Sequence, residues 1–66
     1  MGHIQVWEIS GGKYEVEAGE SAFLVEKYGI GPRAQFMLKR LVPGQITEII
    51  RAFKTKEEAF AFCEQL

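Results

Sequence analysis

One cysteine and one histidine are all that the 66 residues contain. With Cys63 alone, no disulfide can close within the chain. With His3 alone, a cysteine and histidine metal site lacks its ligands, and no metal or other cofactor is expected. A single thiol fits a reducing, cytoplasmic setting. Long apolar runs are missing too. None approaches the roughly 20 residues a bilayer span needs, and no charged segment leads into an apolar one as in a signal peptide. The expectation is a soluble, cytoplasmic protein with no membrane contact. Catalytic groupings are equally scarce. There is no serine–histidine pair, and Cys63 has no identifiable base to activate it. Glu15 and Glu17 read as a solvated strand edge. No enzyme activity and no small-molecule substrate are expected.

What is present is enough to fold. Hydrophobic residues make up 47% of the chain, which argues against disorder. Residues 1–66 form one domain, and a chain this short buries only about 60% of the surface its unfolded form exposes. Domains of this size draw on a disulfide, a metal or a second chain for stability. The first two are excluded, so a homodimer or a protein partner is expected.

Charge is unevenly spread. The net value is −1. Residues 1–26 hold Lys13 against Glu8, Glu15, Glu17, Glu20 and Glu26, a sum of −4. Residues 27–56 hold Lys27, Arg33, Lys39, Arg40, Arg51, Lys54 and Lys56 against Glu48, a sum of +6, and residues 57–66 hold three glutamates. A basic middle between acidic ends suits internal or cross-dimer pairing, or an anion-facing surface.

"HIQVWEI" and "KYEVEA" flank "SGG" and read as a hairpin, with Tyr14 and Val16 on one face and Glu15 and Glu17 on the other. At the other end "TKEE" is a capping box, in which Thr55 and Glu58 each satisfy the other's amide. Ala59, Phe62, Cys63 and Leu66 then recur at i, i+3, i+4 and i+7, an apolar helical stripe. Phe60 lies at its margin, as core edge or contact surface.

The middle admits two readings. In one, residues 22–28, 33–41 and 46–53 are strands, the last two joined by a turn centred on Pro43-Gly44. In the other, Ala34, Met37, Leu38 and Leu41 mark a helix, and residues 20–53 take a helix-turn-helix outline. Short segments, well-placed turn residues and direct entry into the capped helix favour strands. The expected fold is α+β: an antiparallel meander of four to five short strands, with one C-terminal helix packed on one face.

Several of these strands are apolar on both sides, and one helix covers only one side of a sheet. A second copy of the chain is the economical cover for the other. Trp7, Ile49, Phe53 and Phe60 are the candidate interface residues. Function is expected to be that of a non-enzymatic binding module, dimeric or docked on a protein partner.

The alternative is a small nucleic-acid-binding protein using the basic segment 27–56. Arg33, Gln35, Met37 and Lys39 are expected on one strand face, and Thr47, Ile49, Arg51 and Phe53 on one face of the next. Cations interleaved with rings suit single-stranded nucleic acid. The candidate nucleic-acid or anion-binding residues are Lys27, Tyr28, Arg33, Lys39, Arg40 and Arg51. The loop Gly29-Ile30-Gly31-Pro32-Arg33 itself reads as a turn, because Pro32 removes one amide donor and no phosphate-loop pattern follows.

"EKYGIGPRAQ" followed by "FKTKEEAFAFCEQL" resembles the WGR nucleic-acid-binding module. The tryptophan-glycine-arginine signature would fall on Tyr28, Gly29 and Ile30, so only the glycine agrees. "RAFKTKEEAFAF" is similar to the close of the three-stranded arm-binding domains of tyrosine recombinases. Each resemblance spans less than half of the chain, and neither carries a function over.

Overall fold

The computed structural model describes residues 3–42, 44 and 47–65. Five strands, β1 (Ile4–Ser10), β2 (Lys13–Ala18), β3 (Ser21–Tyr28), β4 (Gln35–Leu41) and β5 (Glu48–Phe53), precede one helix, α1 (Lys56–Glu64). The strands form a single antiparallel sheet in the order β1-β2-β3-β4-β5. This is the expected α+β meander, with all five strands formed. No helix among the described residues is long and apolar enough to cross a membrane.

Local chemistry accounts for the connections. Gly11-Gly12 and Gly19-Glu20 are two-residue turns, with Ser10 opposite Lys13 and Ala18 opposite Ser21. The Gly29–Arg33 loop is a turn as well. Gly29 has φ of +86°, and a Cβ there would lie 3.3 Å from the Arg33 carbonyl oxygen, so glycine is required twice over. Pro32 sits in a single 3₁₀ turn, Gly31–Arg33, closed by the Ala34 amide donating to the Gly31 carbonyl at 3.1 Å. The Pro43-Gly44 turn lies outside the described residues, because Pro43 does, and so do Ile46 and Leu66.

Residues 35–41 are a strand, which removes the helix-turn-helix outline. Their helix-forming composition is overridden by pairing with β3 and β5 and by a period of two. Leu38 is fully buried, whereas Met37 and Lys39 turn to the other face.

The core lies between the sheet and α1. Val16, Phe23, Val25 and Leu38 from three adjacent strands meet Ala59 and Cys63 of the helix. Each large side chain among them stabilises the fold by about 1.5–3 kcal/mol through burial. Phe53 packs on Phe62, ring centres 5.5 Å apart, and Phe60 meets Tyr14 edge-on at 5.7 Å. The capping box forms: the Glu58 amide donates to Thr55 Oγ1 and the Thr55 amide donates to Glu58 Oε1, both at 3.2 Å. It fixes where α1 begins, and hence which helix face meets the sheet. Burial pushes the Cys63 thiol up to about 11, so Cys63 is an apolar core group.

Candidate functional site

Residues paired across an antiparallel sheet share a face, so the register divides the side chains between the helix side and the bare side. Gln5 and Trp7 pair with Glu17 and Glu15 on the bare side. Leu24, Glu26 and Tyr28 join them from β3, then Met37 and Lys39 from β4, and Ile49 from β5. One row across the sheet reads Trp7, Glu15, Leu24, Lys39, Ile49. Trp7 is 46% exposed and Ile49 62% exposed, while Leu24 and Met37 are half-buried by their neighbours alone.

At the centre of this face stands a polar cluster. The Lys39 ammonium donates to Glu26 Oε1 at 2.6 Å and to the Tyr28 hydroxyl at 2.8 Å, and lies 5.2 Å from the Tyr28 ring centre. Lys13 reaches the other carboxylate oxygen of Glu26 at 3.6 Å. The hydrogen bond from Lys39 holds the Glu26 carboxyl below its ordinary range, and the same bond raises the Lys39 ammonium above its own. Both stay charged at neutral pH. The cluster therefore answers most of its own hydrogen-bonding demand, which leaves the apolar groups around it, with Glu15 and Glu17, without a partner among the described residues.

The six candidate anion-binding residues do not converge. Tyr28 and Lys39 are on the bare face, and Lys39 is committed to Glu26. Lys27, Arg40 and Arg51 lie on the helix side, opposite Phe36, Phe23 and Leu38. Arg40 sits 5.8 Å from the Phe23 ring centre and Arg51 5.6 Å from that of Phe53, so each covers an aromatic ring of the core. Arg33 belongs to the 3₁₀ turn and not to β4.

The expected face of Thr47, Ile49, Arg51 and Phe53 is corrected by a bulge. Register slips between Leu38 and Lys39, so that Leu38 faces Arg51 while Lys39 faces Ile49, and Ile50 is the extra residue. One added residue reverses the side chains beyond it. Ile49 is thereby on the bare side, whereas Ile50 and Phe53 pack against the core. The four candidate interface residues divide likewise. Trp7 and Ile49 share the bare face, whereas Phe53 and Phe60 form the rim of the core on the helix side.

Sequence reasoning missed Glu26 as the partner of Lys39, thirteen residues away. Lys54 and Lys56 count in the basic segment 27–56 but not among the candidate binding residues, and they line one cleft with Lys27 at the start of α1. Only the basic residues on each side of Thr55, in "KTK", hinted at the second grouping. No family model, curated protein or solved structure matches this chain, and the two motif resemblances stand on their quoted residues alone.

Proposed function

We propose that this chain is a non-enzymatic protein-interaction module that pairs with a second copy through its bare sheet face. The observation that carries this is the set of apolar side chains Trp7, Leu24, Met37 and Ile49 on the face away from α1, interleaved with Glu15 and Lys39 and with Trp7 and Ile49 the most exposed of the four. Area supports it. The protein exposes 4883 Å², about 650 Å² more than a compact monomer of this mass is expected to. Five strands at about 4.8 Å spacing, each about seven residues long, present a face of roughly 550 Å². Two such faces bury roughly 1,100 Å², just above the ~1,000 Å² that marks a specific interface.

Charge favours one arrangement. A two-fold axis along β3 lays β1 and β2 of one copy over β4 and β5 of the other. Trp7 then meets Ile49, and Glu15 and Glu17 meet the half that carries Lys39. Size-exclusion chromatography with light scattering tests the reading. The expected result is a dimer for the natural sequence and a monomer for Trp7→Glu. A monomer at every concentration for the natural sequence removes the homodimer. The same runs with single-stranded oligonucleotide at low salt test the alternative, because counterion release makes such binding strongest there. Co-elution of a monomer with the oligonucleotide would put nucleic acid first.

A further inference from the structure

On the helix side, a cleft of about 350 Å³ opens where the β1–β2 turn, the end of β3, the start of β4 and the first turn of α1 come together. Lys27, Lys54 and Lys56 line it, with Glu57 the acid among the lining residues and Tyr14 and Phe36 as aromatic walls. Three ammonium groups stand against Glu57 in the lining and Glu8 beside Tyr14, which leaves the cleft net positive. The lysines come from positions 27, 54 and 56, so the fold gathers them.

Like charges at one place work against folding unless something neutralises them. Here Glu57 and Glu8, the strand partner of Tyr14, offset part of the charge without forming an ion pair with any of the three. The ion pairs among the described residues are those of Lys13 and Lys39 with Glu26. Lys56 donates instead to the Tyr14 hydroxyl at 3.3 Å and lies 5.1 Å from that ring's centre. Tyr14 accepts in this bond, so its own proton is available to a ligand. The hairpin turn is shaped to the lysine stem. The Lys27 amide donates to the Gly12 carbonyl at 2.7 Å, and a Cβ on Gly12 would stand 3.0 Å from Lys27 Cβ. The capping box occupies the amides of Thr55 and Glu58, so the helix end offers at most those of Lys56 and Glu57. The charge belongs to the side chains.

We propose that this cleft binds a small phosphate-bearing anion, held by Lys27, Lys54 and Lys56. The cleft is net positive, and lysine ammonium groups bind phosphate as mobile point charges. Tyr14 and Phe36 give an organic portion of the ligand an apolar wall. The site lies on the opposite side of the sheet from the dimer face, so it operates in a monomer or a dimer.

The test is a titration of the isotope-labelled full chain with inorganic pyrophosphate at low ionic strength, followed by amide resonances. Saturable shifts are expected at Lys27 and at Lys54 to Glu57. Lys54→Ala should weaken binding by about tenfold, as expected for one charge-assisted contact. The spectra also report whether each variant is folded. The proposal is overturned by shifts that do not saturate in the millimolar range, by equal affinity in a folded Lys27→Ala/Lys54→Ala variant, or by a response to oligonucleotide with none to pyrophosphate.

Discussion

A bare face used for self-association must couple folding to concentration, and the size of that coupling follows from the area. About 1,100 Å² of buried surface, somewhat over half apolar, is worth roughly 16 kcal/mol at 25 cal/mol per Å². Association costs of about 4–15 kcal/mol leave a surplus that brackets the value for micromolar affinity. At a total concentration about 100 times the dissociation constant, roughly one chain in fourteen is free, and each chain gains about 1.6 kcal/mol by mass action. With a urea slope of about 1 kcal/mol per molar for a domain of this size, the unfolding midpoint should rise by about 1–2 M between dilute and concentrated samples. Ile49→Glu would place a carboxylate in the interface and abolish that rise. Its midpoint should match that of the dilute natural sequence, because Ile49 is 62% exposed in the monomer and surface changes of this kind shift stability by only about 0.5 kcal/mol. Circular dichroism at both concentrations reads the answer. A natural midpoint that does not move, or an Ile49→Glu midpoint that moves as much, refutes the reasoning.

Other outcomes follow from the core and the polar cluster. Leu38→Ala removes a fully buried side chain at a cost of about 2–5 kcal/mol. Total stability for a domain of this length is roughly 3–10 kcal/mol, so loss of far-UV signal at 25 °C is expected, while Met37→Ala on the bare face should keep its signal. Acid titration should show a step due to Glu26. Its carboxyl is held below its ordinary value of 4.5, so the stabilisation is complete above that value and is lost as pH falls through the depressed one. For a partly exposed pair the step is no more than about 1 kcal/mol, and it should vanish in Glu26→Gln. Cys63, with its thiol pushed up to about 11 and almost wholly buried, should resist iodoacetamide at pH 8 in the folded protein and react at once in urea. Rapid modification without unfolding would contradict its placement.

Features written in short-range chemistry are legible in the chain before it folds. The Gly11-Gly12 turn needs only its own residues, and the Thr55–Glu58 capping box closes over three positions. Alternation in Lys13–Ala18 likewise separates Val16 from Glu15 without help from elsewhere. Residues 35–41 were ambiguous because Met, Leu, Lys and Arg suit a helix as readily as a strand, and only the ladders to β3 and β5 decided between them. Tertiary structure alone decided which charges meet. Lys39 finds Glu26 through the β3–β4 register, and a single extra residue at Ile50 puts Ile49 on the bare face and Arg51 on the other. Lys27 comes to face Lys54 and Lys56 because α1 starts where β5 ends, beside the turn after β1. Turns and caps are decided within a few residues. A face is decided by the whole sheet, where one residue of slip exchanges its two sides.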